Sequence, residues 1–512
     1  MSEKIVVKKF SSEKTAFFST ILIGLFAHGY ILTHNLILHD NTYNFYLGAT
    51  YPFGRWMIEI VTRFTNALNN TYLHFSTPLY LGVIAIIYIA AAAVLLTRLF
   101  DIKDKYSIVA LSGIMVSFPM VTSLMGFMFM SAVNMLGMLL AVLGAYIVCK
   151  YKKWYSFIAG IILMTCGVGI YQAYIAVFVS IFLIFFMYEL NGEKTESPLK
   201  SFFKGVAYYG GACVATLISY LLIMKFFLWH YHTELTSYQG MDSAASTTVS
   251  QYLSRIATAY KEFFNPVSGT TRCMYQGGAR YLYYITIILA VLVTADLLYK
   301  LISGKKYVLA GLELVLFALL PLAVNFVYVM CDVNVHSVMM YGEVFLFVYV
   351  IVFSKLSELK KPSFPQFIVP VCMFVLVLLN CRFSNICYLR GEYVQNASAA
   401  YFNRMVSRIE STQGYDVSLP VAFDGYGPSN DENLFVYPEF TDTVNIYPFS
   451  LSTVINNYNW QTFMKVTTGY NPDIVDIEEI KDPESIAAIE SMPSYPNEGS
   501  IAVIDGIIVI KF

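Results

Sequence analysis

Charge is scarce in this chain. Asp, Glu, Lys and Arg make up 13% of its 512 residues, against 57% that are hydrophobic, and the formal net charge is −1. Ordinary soluble domains carry roughly twice that charged share, and there is no basic stripe of the kind that nucleic acid requires. The signatures of soluble-type enzymes are missing too: no Walker loop, no HExxH, no dinucleotide fingerprint, and no acidic DxD-type sugar-nucleotide motif. The eight cysteines show no metal-ligand spacing. Cys149, Cys166, Cys213 and Cys372 fall in or at the ends of apolar runs, whereas Cys273 and Cys331 fall in loops where they could bridge. No internal repeat of the transporter kind is visible.

What the chain has in quantity is long apolar runs. Eleven segments, 15–38, 79–96, 107–122, 128–149, 155–168, 171–189, 205–229, 280–301, 307–329, 338–354 and 366–382, read as transmembrane helices, most near the ~20 residues that cross ~30 Å of hydrocarbon. The first follows Lys4, Lys8, Lys9 and Lys14, but it is too long for a secretory signal and no small-residue cleavage site follows it. It is therefore expected to be retained, with a cytoplasmic N-terminus. Alternating sides from there gathers Arg98, Lys103, Lys105, Lys150, Lys152, Lys153, Lys300, Lys305, Lys306 and Lys355 inside, and leaves the short turns near Leu124, Gly169 and Asn334 without Lys or Arg. That asymmetry is the positive-inside pattern.

Two outer loops, 39–78 and 230–279, are too long to be simple connectors. Phe53, Trp56, Met57, Ile60, Val61, Phe64 and Leu68 recur at helical spacing in the first, and Tyr252, Leu253, Ile256, Tyr260, Phe263 and Phe264 in the second, which predicts helices lying on the membrane surface. Composition then divides the chain at Arg382. Residues 1–382 form the membrane domain, and 383–512 a small α/β domain outside the membrane, with a helix at 401–409 and strands at 420–423, 443–447 and 501–512. Asp505-Gly506 suits a hairpin turn in the last of these.

Candidates for chemistry cluster at expected outer helix ends. Asp40, just after His39, could take a proton from an acceptor hydroxyl, or could cap a helix. Arg55 could neutralise a phosphate, or could pair with Glu59 four residues on. Tyr171 and Gln172 could hydrogen-bond a sugar or join helices. Asn325, Asp332, His336 and Tyr341 form a second polar group, in which His336 could bind phosphate or relay a proton, or simply end a helix. Arg272 and Arg280 flank Gly277-Gly278, where a cation meets a lipid phosphate or snorkels. Aromatic residues, 16% of the chain, suit both an interfacial belt and sugar stacking.

Taken together, Leu38-His39-Asp40, Phe53-Gly54-Arg55-Trp56, Gly169-Ile170-Tyr171-Gln172-Ala173 and Val335-His336-Ser337-Val338-Met339-Met340-Tyr341-Gly342 resemble the Gtr-type bacterial glucosyltransferase family. The resemblance covers most of the membrane part and is weaker over the C-terminal domain. It implies a polytopic GT-C-type fold in the bacterial cell membrane, and transfer of a sugar, expected to be glucose, from a polyprenyl-phosphate carrier to a surface glycan on the outer side, with inversion. It further implies a flippase and a donor synthase as partners, alongside membrane lipid, the lipid-linked donor and the glycan acceptor. Asp40 takes the role of catalytic base, and His39, Arg55, Trp56, Tyr171, Gln172, Arg272, His336 and Tyr341 become candidates for substrate binding. No cofactor or metal is demanded, and a divalent ion on the acid stays open. A polysaccharide polymerase or ligase would share this layout. A lipid-linked sugar transporter or flippase would instead show broken helices in paired repeats and mid-membrane ionisable groups.

Overall fold

The computed structural model describes residues 2–42, 50–68, 76–192, 197–236, 247–265, 278–331, 335–356, 364–425, 444, 446–450 and 459–512. These residues are mostly helical. Among them nine helices are long and apolar enough to cross a membrane: Ser12–Thr33, Pro78–Leu99, Lys105–Met125, Met128–Tyr151, Gln172–Leu190, Pro198–His230, Gly278–Ser303, Tyr307–Val324 and Ile368–Glu410. That is the architecture of a multi-pass membrane protein. Two of the expected crossings correspond to shorter helices: Trp154–Ile170, with 17 residues, and Val344–Leu356, with 13. The second is preceded by the 3-10 turns Ser337–Met339 and Tyr341–Glu343. There Gly342 lies so close to Ala176 and to the carbonyl of Val324 that no side chain fits.

Local chemistry explains where the helices start and break. Asp104 caps Lys105–Ser117, accepting from the Ser107 amide at 2.9 Å. Pro119 then interrupts the crossing: Phe118 ahead of it is extended (φ −57°, ψ 135°), as a residue before proline prefers, and a short helix Pro119–Met125 completes the run. Met128–Tyr151 and Trp154–Ile170 pack antiparallel along facing glycines. A Cβ on Gly167 would stand 2.7 Å from the Gly137 carbonyl oxygen, and one on Gly144 would stand 2.7 Å from that of Gly160. Backbones can approach this closely only where side chains are absent.

By internal contacts the chain forms two compact units, Met1–Asn35 with Phe45–Cys387 and Val444–Tyr447, and Leu36–Asn44 with Tyr388–Thr443 and Pro448–Phe512. The helix expected to end at 382 does not end there. Phe364–Glu410 runs 47 residues, about 70 Å at 1.5 Å per residue, and the helix expected at 401–409 is its final stretch. Nothing in the polar sequence after Arg382 stops it, because Leu, Arg, Glu, Gln and Ala are all good helix formers.

In the second unit, β1 (Val421–Asp424), β2 (Ile501–Ile504) and β3 (Ile507–Lys511) form a sheet in the order β1-β3-β2. β3 pairs antiparallel with β2 and parallel with β1, with Val421 opposite Ile508. Asp505 and Gly506, both at positive φ (51° and 73°), make the expected hairpin turn. Val509 packs there with Ile480 and Ile489. The strand expected at 443–447 lies partly outside the described residues.

Candidate functional site

A cluster of polar and aromatic side chains in the first unit surrounds the turn that leads into the helix Trp56–Leu68. The Gly54 amide donates to the Tyr51 carbonyl at 2.8 Å and the Arg55 amide to that of Thr50 at 2.9 Å. Gly54 has φ +67°, a left-handed conformation that a side chain disfavours. Space forbids a side chain as well, because a Cβ there would stand 2.5 Å from the Tyr220 hydroxyl and 2.9 Å from the Gln172 amide nitrogen. Those two groups grip the turn. Gln172 Nε2 donates to the Phe53 carbonyl at 2.7 Å and to Tyr220 Oη at 3.0 Å, and Tyr220 Oη donates to the Gly54 carbonyl at 3.2 Å.

Gln172 comes from a break between two helices. After Trp154–Ile170 the backbone of Tyr171 is extended (φ −152°, ψ 118°), and a 3-10 turn, Gln172–Tyr174, leads into Ile175–Leu190. Trp56 is buried and lies against Gly169, where a Cβ would come within 2.5 Å of its ring. From Trp56 a ladder of near-parallel rings runs through Phe227 (5.7 Å) and Tyr51 (5.2 Å) to Tyr231 (4.4 Å). Burial and the neighbouring Tyr231 push the Tyr51 phenol above its ordinary pKa.

Arg55 is set differently from the arginine two turns below it. Its guanidinium lies over the rings of Tyr171, 5.0 Å away, and Phe53, 5.7 Å away, and its Nε is buried with no hydrogen-bond partner. The pairing with Glu59 that its spacing allows is not formed. Glu59 binds Arg63 instead, at 3.1 Å, and accepts from Thr50 Oγ1 at 3.2 Å. An arginine stacked on aromatic faces, with no carboxylate among the described residues neutralising it, is a ready partner for a phosphate.

The other candidates are distributed as follows. The His336 ring lies 5.2 Å from that of Tyr447, whose carbonyl accepts from Ser123 and, at 3.4 Å, from Ser337. Tyr341 is buried, and its hydroxyl donates to the Met115 carbonyl at 2.9 Å, so it joins helices. Asp40 is half-buried in the 3-10 turn His39–Thr42 of the second unit. That loop is held by the Asn41 amide on the Leu38 carbonyl at 2.9 Å and by the Ile37 amide on Gln395 Oε1 at 2.5 Å. The structure thus gathers Arg55, Trp56, Tyr171 and Gln172 in one cluster. Asp40 belongs to the second unit, and His336 and Tyr341 make other contacts within the first. Arg272, Cys273 and Asp332 lie outside the described residues, as does the side chain of His39. Arg280 is exposed. Among the described residues no three His, Cys, Asp or Glu side chains gather to hold a metal ion.

Sequence reading missed Tyr220, Tyr51, Phe227 and Tyr231. Tyr220 is a lone hydroxyl in a long apolar run, indistinguishable by pattern from a packing or interfacial tyrosine. A family model described as glucosyl transferase GtrII matches residues 29–351, which include the turn, Gln172 and Tyr220. Comparisons with curated proteins and with solved structures returned no match.

Proposed function

The chain belongs to the GtrII glucosyl transferase family, and on that premise we propose that it transfers glucose from a polyprenyl-phosphate carrier to a cell-surface glycan, at the outer face of a bacterial cell membrane and with inversion. The observation that carries this reading is Arg55, an arginine held over two rings with a buried, unpartnered Nε and, among the described residues, no carboxylate pair. Charge of this kind, fixed before the reaction, stabilises a departing phosphate without reorganising.

In the proposed reaction the acceptor hydroxyl gives its proton to a general base, the role that the family resemblance implies for Asp40, and its oxygen attacks the anomeric carbon from the face opposite the phosphate. The bond from that carbon to the phosphate oxygen breaks, and the electron pair leaves with the polyprenyl phosphate, which Arg55 steadies. A single displacement inverts the centre. The lipid tail stays in the bilayer, so the long apolar helices serve as both scaffold and donor groove. The N-terminus is cytoplasmic, the chain crosses the membrane about eleven times with the shorter helices included, and residues 383–512 stand outside. A flippase and a donor synthase supply the loaded carrier.

The test is transfer of radiolabelled glucose from the polyprenyl-phosphate donor to the surface glycan, with purified wild type, Asp40→Asn and Arg55→Gln. Transfer by wild type and loss in both well-folded variants supports the reading. Wild-type transfer that requires an oligosaccharide-loaded carrier would favour a polymerase or ligase, and no transfer from any carrier would move the protein to transport.

A further inference from the structure

We infer that Gln172 and Tyr220 are positioning residues for Arg55: they lock the backbone turn at 51–54 and so fix the guanidinium over Tyr171, without touching the donor. This rests on the role proposed for Arg55. Its basis is the geometry of the turn, whose two internal hydrogen bonds, Gly54 to Tyr51 and Arg55 to Thr50, leave the Pro52 carbonyl to the Thr236 amide at 2.9 Å and the carbonyls of Phe53 and Gly54, next to Arg55, to be satisfied by side chains. A buried carbonyl without a partner costs more than a bond adds, so the donors that reach it dictate where the turn sits. Those donors are Gln172 Nε2 on Phe53 at 2.7 Å and Tyr220 Oη on Gly54 at 3.2 Å, and they are bonded to each other at 3.0 Å.

The lock closes directly on the backbone, since a Cβ at 54 would collide with both donors. The next residue is Arg55. Its guanidinium rests 5.0 Å from the ring of Tyr171, the residue preceding Gln172. One dipeptide, Tyr171-Gln172, therefore holds both the chain leading to Arg55 and the side chain of Arg55. Gln172 is a candidate sugar ligand on sequence grounds. Its amide nitrogen is instead committed to two protein oxygens, and a sugar oxygen accepting from that nitrogen would have to displace them.

The test has two arms, both on the full-length protein in lipid nanodiscs. In the first, amide hydrogen exchange is measured for wild type, Tyr220→Phe and Gln172→Glu. The amides of Gly54 and Arg55 should exchange about tenfold faster in both variants, with those of residues 60–68 unchanged; unaltered exchange at 54 and 55 overturns the lock. In the second, a double-mutant cycle on glucose transfer pairs Tyr220→Phe with Arg55→Lys. Tyr220→Phe should lower kcat about tenfold with KM nearly constant when Arg55 is present, and less than about twofold in the Arg55→Lys background. Equal factors in both backgrounds would make Tyr220 a general packing residue and overturn the positioning role. If wild type transfers nothing from any polyprenyl-phosphate sugar, the proposed function fails, while the exchange arm still decides the lock.

Discussion

Gly144 and Gly160 face each other across two antiparallel helices so closely that a Cβ on either would stand within 2.8 Å of the other's carbonyl oxygen. Seven residues along each helix, a Cβ on Gly167 would stand 2.7 Å from the Gly137 carbonyl oxygen, while one on Gly137 would meet Ile170 and Tyr174. Gly160→Ala should therefore destabilise the protein by about 1–3 kcal/mol, the usual range for overpacking a tight interior. Gly210 is the internal control: it lies in the helix Pro198–His230 with nothing within 4 Å of its Cβ position. Gly210→Ala should stabilise by about 0.5–1 kcal/mol through helix propensity alone. Thermal unfolding in detergent gives the two signs, and a loss at both positions would mean that 210 is covered by something other than lipid.

Arg55 and Glu59 are spaced to pair, yet Glu59 binds Arg63 and Thr50. Their substitutions should therefore part company. Arg55→Lys keeps the charge but gives up planar stacking and the fixed fork of donors, and should lower transfer about 100-fold, as loss of one aligned donor to developing charge does. Glu59→Gln should stay within about threefold of wild type and cost under about 1 kcal/mol, because its ion pair is solvent-exposed. Initial rates with the polyprenyl-phosphate donor check both. Comparable losses would place Glu59 in the site and remove the distinction.

How far the sequence speaks depends on whether a feature is local. Helical spacing at Trp56, Ile60 and Phe64, long charge-free runs, and Asp505-Gly506 between apolar strands each carry their own signal, and the helix Trp56–Leu68 and the β2-β3 hairpin follow from them. Tyr220 and Gly54 are 166 residues apart, and their hydrogen bond leaves no trace in either neighbourhood. The facing glycines are similar: each helix has a seven-residue glycine spacing, but only the antiparallel register makes the two sets meet. Arg382 looks like the end of a crossing because charge returns there. Polarity marks a change of solvent, whereas only a stop signal marks the end of a helix, and Phe364–Glu410 continues through it.

Asp104 accepts from the amide and hydroxyl of Ser107 and pairs with Lys355 at 3.3 Å. Burial by itself would raise its pKa, but the hydrogen bonds from Ser107 and the Lys355 charge outweigh it and hold the carboxyl below its ordinary 3.8. A group depressed on folding stabilises above its unfolded pKa and loses that contribution as pH falls through the folded value. Asp104→Ala should thus cost about 1 kcal/mol at pH 7 through loss of the cap. Asp104→Asn keeps the cap and should cost less. The gap between wild type and Asp104→Asn should close as the pH is lowered from 5 to about 3. Melting temperatures across that window report it, and a gap that widens toward acid would have the sign wrong.

Gly506 lies, like Gly54, at positive φ, but its surroundings are open, with nothing within 4 Å of a Cβ. Replacing it separates conformational cost from collision. Gly506→Ala should cost about 1 kcal/mol from the left-handed backbone alone, and Asp505→Asn should cost nothing, since Asn-Gly is the preferred pair for this turn. Hydrogen exchange locates the effect. The amides of Ile508, bonded to the Pro420 carbonyl at 2.9 Å, and Lys511, bonded to that of Ser500 at 3.0 Å, should exchange about fivefold faster in Gly506→Ala. Gly54→Ala should be the more damaging of the two glycine changes, because it meets the same backbone penalty and also drives a methyl group into Tyr220 and Gln172. Equal effects at 506 and 54 would mean that the space around Gly54 yields, and the grip of Gln172 and Tyr220 on the turn would then be loose.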